Sequence, residues 1–210
     1  MIKILIADDH AVVRRGLKQI LAEEPNMAVF GEACNAQEVL KNVREQDWDI
    51  VILDITMPDR SGLDVLKELK RERPKLPVLF LSIHPEDQYA VRVLKAGAAG
   101  YMTKESAPEE LVKAIRKVLR GGKYISPSLA EKLAFDLETD SEKPLHETLS
   151  DREYQVMCMI ASGKTVKEIA KKLYLSVKTI STHRARILGK MKMKTNAELT
   201  HYAVKNRLVD

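Results

Sequence analysis

Cysteine is scarce in this chain, and long hydrophobic runs are missing from it. Its two cysteines, Cys34 and Cys158, lie far apart, which excludes a disulfide framework and a cysteine-rich zinc cluster. No apolar run approaches the roughly 18 residues that a membrane span needs, and the first one meets Asp8 and Asp9 too early for a secretory signal. These absences predict a soluble protein of a reducing cytoplasm with no membrane partner.

Charge is spread unevenly along the chain. Lysine and arginine number 35 and aspartate and glutamate 30, for a formal net charge of +5. Residues 1–122 are balanced, with 19 charges of each sign, residues 123–146 carry −2, and residues 147–210 carry +7. We therefore predict a neutral domain over residues 1–122, a linker with a short helix over 123–147, and a basic domain over 148–210 that suits nucleic acid.

Short apolar runs alternate with helical patterns in the first domain. The apolar runs occupy residues 3–7, 27–33, 49–53, 76–81 and 100–102. Helical periodicity follows them over residues 11–24, 36–46, 62–73, 86–96 and 108–120. This alternation predicts an α/β fold, a flavodoxin-like five-stranded parallel sheet with helices on both faces. The functional site of such a sheet lies outside the carboxyl ends of its strands.

Five polar side chains follow or end four of these predicted strands. Asp8 and Asp9 come after the first strand, Asp54 after the third, Ser82 ends the fourth and Lys104 follows the fifth. Three carboxylates held together resist ionisation unless a cation intervenes, and a small set of oxygen ligands suits Mg²⁺. With a hydroxyl and an ammonium beside them, they form an apparatus for placing a phosphoryl group on a carboxylate.

Each of these residues has an ordinary structural interpretation when it is taken alone. A single aspartate after a strand is commonly a helix cap, and a single lysine is commonly a solvated surface charge. Their shared position at the carboxyl ends of four strands favours the functional interpretation, because sites in open α/β sheets are restricted to that edge.

Residues 1–121 resemble the receiver domain of two-component response regulators. The resemblance is carried by Asp8-Asp9, the run Asp54-Ile55-Thr56-Met57-Pro58, Gly62, Ser82, Tyr101 and Lys104. It implies that Asp54 accepts a phosphoryl group from a sensor histidine kinase, and that Ser82 and Tyr101 form a switch pair whose ring turns inward behind the hydroxyl. It also implies a Mg²⁺ site in which Asp9 binds the ion directly, Asp8 acts mostly through water, and Asp54 and the carbonyl of Thr56 complete the set.

Several positions around this pocket keep a second interpretation. Tyr101 also fits ordinary sheet packing, and His10 suits a surface or supporting role. His84 and Pro85, like Thr56, are expected to tune the lifetime of the phosphate. Glu105 follows Lys104 where many receivers have proline, so the peptide bond there is expected to be trans.

The basic domain reads as four helices, over residues 151–161, 166–173, 177–191 and 196–205. The second and third are joined by residues 174–176, a length typical of a helix-turn-helix. Winding the third helix at about 100° per residue gives an apolar face made of Val177, Ile180, Ile187, Leu188 and Met191. The opposite face carries Lys178, Thr179, Thr182, Ala185 and Arg186. A polar, basic face with small residues can enter a major groove, although a lone basic helix is more often merely solvated.

This domain also resembles the LuxR-type helix-turn-helix of NarL/FixJ regulators. The resemblance is carried by LSDRE at 149–153, ASGKT at 161–165, KEIA at 167–170, LSVKTISTHR at 175–184, and AEL at 197–199 with Tyr202 and Ala203. It implies that residues 177–191 are the recognition helix, in which Ser181, Thr182 and Ala185 meet bases. Lys178, Thr179 and Arg186 are the candidates for phosphate contacts.

Both domains together predict a phosphorylation-controlled transcription regulator that binds double-stranded promoter DNA as a homodimer and is not an enzyme acting on a separate substrate. Two rival functions remain. An aspartyl-phosphate hydrolase would also use Asp54, but it usually needs a second acid two residues on, where Thr56 stands. A constitutive DNA-binding protein with a vestigial receiver is the other, and the intact acidic residues argue against it.

Overall fold

The computed structural model describes residues 1–138, 144–206 and 208–209. It divides the chain into two compact units, Met1–Ala134 and Phe135–Asp210. Part of the predicted linker, residues 139–143, lies outside the described residues.

The first unit contains a five-stranded sheet in which every strand pairs in parallel. The strands are β1 (Ile2–Ala7), β2 (Met27–Ala33), β3 (Ile50–Asp54), β4 (Val78–Ser82) and β5 (Gly100–Thr103), in the order β2-β1-β3-β4-β5. This confirms the predicted fold class. The bounds of β3 and β4 lie one or two residues later than predicted, so Asp54 is the last residue of its strand.

Helices follow the strands as the periodicity predicts. They are α1 (Ala11–Ala22), α2 (Ala36–Glu45), α3 (Gly62–Glu72), α4 (Glu86–Lys95) and α5 (Ala107–Leu119). Local capping defines several ends, because the side chains of Asn35 and Ser61 accept hydrogen bonds from the first turns of α2 and α3. After α5, Gly121 has a φ of +86°, a left-handed conformation that glycine adopts without strain and that ends the helix.

Central strands β3 and β4 are buried along their full length. One face of the sheet packs on α1 and α5 through an aliphatic cluster that includes Ile4, Ile52, Leu79, Leu111 and Ile115. Strands covered on both faces read as continuous apolar runs rather than alternating ones, which is why the sequence identifies them so clearly. This packing holds the carboxyl ends of β1, β3, β4 and β5 at one edge.

The second unit is helical. Helix α6 (Pro127–Glu138) begins in the first unit and ends in the second. The remaining α-helices of the second unit are α7 (Asp151–Ala161), α8 (Val166–Lys172), α9 (Val177–Lys190) and α10 (Asn196–Lys205). Capping boxes begin α7 at Ser150 and Glu153 and α8 at Thr165 and Glu168. A 3₁₀ turn, Leu145–Thr148, crosses the predicted boundary between the linker and the basic domain.

Helix packing fixes the position of α9 within this unit. Lys190 Nζ lies 2.5 Å from Oε2 of Glu153, a carboxylate that is 5% exposed on α7. Ile180, Ile187 and Met191 are buried. The apolar face of α9 is therefore buried from Ile180 to the end of the helix, where the ion pair of Lys190 also ties the helix to α7.

Gly62, the first residue of α3, packs against the chain at the carboxyl end of β3. Its amide donates a hydrogen bond to the carbonyl of Ile55 over 2.8 Å. A Cβ at this position would overlap the carbonyl oxygen of Asp54 and lie 3.0 Å from Cα of Ile55. Both are backbone atoms, so a side chain here displaces the segment that carries Asp54.

We expect Gly62→Ala to destabilise the first unit by about 1–3 kcal/mol, the usual cost of overpacking a buried position. Gly16→Ala is the matched control, because a Cβ there meets nothing within 4 Å and alanine is the better residue inside a helix. Urea unfolding of both variants measures the difference. Equal stability of the two variants would show that the α3 start tolerates a side chain.

Candidate functional site

Three aspartates converge at the carboxyl edge of the sheet, as the sequence predicts. Asp8 follows β1 and is 2% exposed, Asp54 ends β3 and is 3% exposed, and Asp9 is exposed at the mouth. Ligand atoms of these three residues and of His10 all lie within 4.8 Å of one another. The arrangement concentrates negative charge at this edge of the sheet, with Asp9 as its exposed member.

Lys104 supplies the countercharge. Its Nζ lies 2.6 Å from Asp8 Oδ2 and 2.9 Å from Asp54 Oδ2, and its side chain is 12% exposed. Its backbone amide donates to the carbonyl of Ser82 over 2.7 Å, so the loop after β5 is anchored to the end of β4. The Lys104–Glu105 peptide is trans, as is every other peptide bond in the described ranges.

Burial and charge shift the acid–base behaviour of this pair. Burial raises the pKa of Asp54 to about 6, although Lys104 lowers it, and the neighbouring Asp8 carboxylate raises it further. Burial alone lowers the pKa of Lys104, but the two carboxylates outweigh it and raise that pKa above its usual value. Lys104 is therefore a permanent cation, and Asp54 is ionised at neutral pH against an electrostatic cost.

The pocket has the donor set of a hard divalent ion. Carboxylate oxygens of Asp8, Asp9 and Asp54 are the ligands that Mg²⁺ prefers, and one cation beside three acids leaves a negative charge for such an ion to neutralise. Asp9, the exposed member, is reachable by an ion that retains water. The acidic pocket can therefore bind Mg²⁺.

Two further residues, His10 and Arg14, contact Asp8 or Asp9. Of these, only His10 was identified from the sequence. His10 Nδ1 lies 2.7 Å from Asp9 Oδ1 and 3.2 Å from Asp8 Oδ1, in keeping with the supporting role considered for it. Arg14 donates from Nη1 to the backbone carbonyl of Asp8 over 2.7 Å. Its place one helical turn after His10 is the signal that could have identified it.

Ser82, His84 and Tyr101 form a hydrogen-bonded group behind the acids. Ser82 and Tyr101 are both fully buried. The amide of His84 donates to Ser82 Oγ over 3.0 Å, and the Tyr101 hydroxyl donates to the carbonyl of His84 over 2.7 Å. Burial raises the pKa of Tyr101, so its hydroxyl stays protonated as a donor. The Tyr101 ring therefore points inward, next to the loop that carries Ser82.

Thr56 and His84 lie at the rim of the pocket. Thr56 Oγ1 is 3.5 Å from His84 Nε2, and the Thr56 amide lies 3.4 Å from Asp54 Oδ1. The ring of His84 also contacts that of Tyr89, with centroids 5.1 Å apart. These contacts bring together two of the three residues predicted to tune the phosphate's lifetime.

In the second unit, one face of α9 is open to solvent. Its accessible residues include five of the six DNA-contact candidates, Lys178, Ser181, Thr182, Ala185 and Arg186, and the sixth, Thr179, is half-buried. Thr179 lies at the start of the helix, where the Ser176 side chain accepts a hydrogen bond from its amide over 3.0 Å. Since α8 and the turn after it precede α9, the arrangement is that of a helix-turn-helix.

The predicted apolar face of α9 needs one correction. Val177 is 46% exposed rather than buried, because it is the first residue of the helix and follows the exposed turn. Arg184 donates from Nε to Asn196 Oδ1 over 2.7 Å, so its head is committed to a structural bond. Nδ1 of His183, on the flank of the same helix, is buried and has no hydrogen-bond partner among the described residues.

The structure also exposes basic and aromatic groups that the sequence did not single out. Lys167, Lys171 and Lys172 are exposed on α8, and Tyr174 in the turn is 74% exposed with a φ of +53°. The first helix of a helix-turn-helix crosses the DNA backbone. The net charge of +7 over residues 147–210 indicated a basic surface, but the sequence did not identify which lysines are exposed on it.

A parallel sheet with acidic residues, a lysine and a buried serine–tyrosine pair at one edge, joined to a helix-turn-helix, defines the class of receiver-containing DNA-binding regulators. Comparison with known families agrees. Residues 4–116 match the response regulator receiver domain, and residues 147–203 match the luxR family of bacterial regulatory proteins.

The matches to whole-chain relatives and to solved structures extend over both domains. The response regulator GacA of Pseudomonas aeruginosa is 40% identical over 211 residues, covering 100% of this chain and 99% of GacA. UvrY of Escherichia coli is 36% identical over 209 residues, covering 99% and 96%. RcsB of Salmonella enterica, solved on promoter rprA with the phosphomimetic BeF₃⁻, is 28% identical with a TM-score of 0.66, covering 97% and 99%.

The chain belongs to the NarL/FixJ family of response regulators, with a receiver domain followed by a LuxR-type helix-turn-helix. Within the part of the chain that the structure describes, no helix has the length and apolar character needed to cross a membrane.

Because the pKa of Asp54 is raised, the free energy of unfolding should depend on pH through this residue. A carboxyl whose pKa rises from 3.8 unfolded to about 6 folded binds its proton more tightly in the native state, so it costs stability above pH 6 and nothing below pH 3.8. In metal-free buffer, Asp54→Asn removes this cost. We expect it to raise the free energy of unfolding by about 3 kcal/mol at pH 7.5 and about 1 kcal/mol at pH 4.5.

Urea unfolding of Asp54→Asn and the unchanged chain, at both pH values and with a chelator present, measures this difference. A gain of the same size at both pH values would show that the Asp54 carboxylate is not destabilised by its surroundings.

Proposed function

We propose that this chain is a phosphorylation-controlled transcription regulator in which Asp54 receives a phosphoryl group from a sensor histidine kinase and the exposed face of α9 reads promoter DNA. The observation that carries the proposal is the buried Asp54 carboxylate, 2.9 Å from Lys104 Nζ and grouped with Asp8 and Asp9 in a chain of this family. The functional parts are a receiver over residues 1–122, a linker over 123–147 and a DNA-binding domain over 148–210.

Asp54 is suited to be the nucleophile. An oxygen of its carboxylate attacks the phosphorus, the bond from phosphorus to the donor histidine nitrogen breaks, and the electron pair of that bond stays on the donor imidazole. A pKa of about 6 leaves most of the Asp54 population ionised at neutral pH. Burial at the sheet edge strips water from it, which strengthens each electrostatic contact in the pocket.

Lys104 is placed to stabilise the product. Its ammonium, within 3 Å of Asp54, faces the oxygens that gain charge as the phosphoryl group transfers. Asp8, Asp9, Asp54 and the backbone carbonyl of Thr56 are the proposed ligands of Mg²⁺. When bound, Mg²⁺ would neutralise charge on the phosphoryl oxygens.

Ser82 and Tyr101 are the proposed switch. The Ser82 hydroxyl is fully buried at the end of β4, where it can donate to a phosphoryl oxygen on Asp54. The His84 carbonyl that accepts from Tyr101 lies two residues further along the same loop. A shift of this loop therefore couples the pocket to the β4–β5 surface, and a change of about 1.4 kcal/mol alters the balance of two states tenfold.

Phosphorylation is proposed to promote a homodimer whose paired α9 helices read half-sites about one helical turn apart. Solved assemblies of RcsB include two dimers bound to two parallel DNAs. On α9, Ser181, Thr182 and Ala185 are the proposed base contacts, and Lys178, Thr179 and Arg186 the proposed phosphate contacts.

The chain is proposed to act as a regulator rather than as an enzyme on a separate substrate. Thr56 stands two residues after Asp54, where an aspartyl-phosphate hydrolase usually carries its second acid, and it pairs with His84. Both cysteines are free, which suits a reducing cytoplasm.

Asp54→Asn should abolish acid-labile phosphate incorporation from acetyl phosphate and Mg²⁺, because an amide cannot form the acyl phosphate. Phosphate-affinity electrophoresis measures the incorporation. Asp47→Asn is the control, since Asp47 is an exposed partner of Arg73 away from the acidic cluster. Retained labelling of Asp54→Asn at the same stoichiometry would remove Asp54 as the acceptor.

Lys178→Ala and Thr182→Ala should weaken DNA binding in different ways. Lys178→Ala should flatten the plot of log affinity against log salt concentration by about one unit, as loss of one phosphate contact requires. Thr182→Ala should alter the sequence selected from random DNA while leaving that slope unchanged. Lys41→Ala, which removes an exposed charge from the receiver, is the control. An unchanged slope for Lys178→Ala would place Lys178 outside the interface.

A further inference from the structure

The chain that leaves the receiver lies against the outer edge of its sheet. β5 is the last strand in the sheet order, so one of its edges faces away from β4. Tyr124 pairs with that edge in a parallel bridge to Gly100. The Tyr124 amide donates to the carbonyl of Ala99 over 2.9 Å, and the Tyr101 amide donates to the carbonyl of Tyr124 over 3.1 Å.

Side chains on both sides of Tyr124 fasten the same segment. Lys123 Nζ donates to the carbonyl of Ala98, and the Tyr124 hydroxyl donates to Glu110 Oε2 on α5 over 3.0 Å. Ser126 Oγ donates to Glu86 Oε2 at the start of α4 and accepts from the amide of Leu129 over 3.1 Å, in the first turn of α6. We name residues 123–126 the linker strap.

Gly100 is what lets the strap approach β5 so closely. A Cβ on Gly100 would lie 2.6 Å from the carbonyl oxygen of Tyr124 and 2.8 Å from its Cβ. Glycine inside a strand weakens the strand and often marks a site where another backbone approaches closely. Here the approaching backbone is the start of the linker that leads into α6.

Tyr101 joins the strap to the proposed phosphorylation pocket. Its backbone amide is bonded to Tyr124, and its hydroxyl is bonded to the carbonyl of His84, whose own amide donates to Ser82. One residue thus contacts the loop carrying the switch serine and the first segment of the linker. The arrangement seen has the ring inward, which the receiver resemblance associates with phosphorylation.

We propose that the linker strap stabilises the inward position of Tyr101, with Tyr124 as a positioning residue, and so couples the occupancy of the Asp54 pocket to the linker that leads to the DNA-binding domain. This inference rests on the proposed function. Because coupling is reciprocal, a phosphate mimic on Asp54 must tighten the strap by the same factor by which the strap tightens binding of the mimic.

The first experiment measures the strap directly in the full chain. Hydrogen–deuterium exchange at the Tyr124 amide is followed with and without beryllofluoride and Mg²⁺. We expect exchange at Tyr124 to slow by about fivefold or more when the mimic binds, the lower end of common allosteric couplings. Unchanged exchange at Tyr124 in a chain that has bound the mimic would overturn the proposal.

The second experiment weakens the strap. Gly100→Ala should reduce beryllofluoride affinity, measured by titration calorimetry with Mg²⁺ present, by about fivefold or more. Tyr124→Phe, which keeps the backbone pairing and loses the bond to Glu110, should reduce it less. Gly16→Ala is the matched control and should bind as the unchanged chain does. Thermal unfolding verifies that each variant is folded.

The outcomes separate this proposal from the proposed function. A folded Tyr124→Phe and a folded Gly100→Ala that both bind beryllofluoride as tightly as the unchanged chain would overturn the strap while leaving Asp54 as the acceptor. Binding by Asp54→Asn equal to that of the unchanged chain would instead refute the acceptor, and the strap proposal would fall with it.

Discussion

The ion pair between Lys104 and two buried carboxylates is the interaction on which the receiver depends. Nζ of Lys104 lies within 3 Å of both Asp8 and Asp54, in surroundings that burial makes poor at solvating charge. A buried acid without its cation costs several kcal/mol, so the loop after β5 must return to the ends of β1 and β3. Three carboxylates and one ammonium leave the pocket with an excess of negative charge. A divalent cation can neutralise that excess and can also balance the charge of a phosphoryl group on Asp54.

That electrostatic arrangement works only because the sheet around it is rigid and apolar. β3 and β4 are buried throughout, so the end of each strand is fixed by packing rather than by the polar residues it carries. Gly62 completes the frame, since backbone atoms of Asp54 and Ile55 occupy the space of a side chain. Functional groups at the ends of packed strands are held more precisely than groups on free loops.

The helical unit is organised by a different balance, in which capping residues fix the helix ends and an ion pair ties α9 to α7. Glu153 serves both, because it completes the capping box at Ser150 and contacts Lys190. The end of α9 is thereby fixed to α7, while its outer face remains exposed to solvent. The helix is therefore already formed in the structure, with its cap at Ser176 in place.

Much of this protein is determined by its sequence alone. Continuous apolar runs specify buried parallel strands, and because parallel strands end at a common edge, Asp8, Asp54, Ser82 and Lys104 had to meet. Capping residues such as Ser150 and Thr165 likewise specify where helices begin. The tertiary structure alone decided which carboxylates Lys104 contacts, that Arg14 holds the backbone of Asp8, that Val177 is exposed, and that Tyr124 pairs with β5. Those contacts join residues distant in sequence or depend on neighbours that a local pattern does not contain, so only the packed chain fixes them.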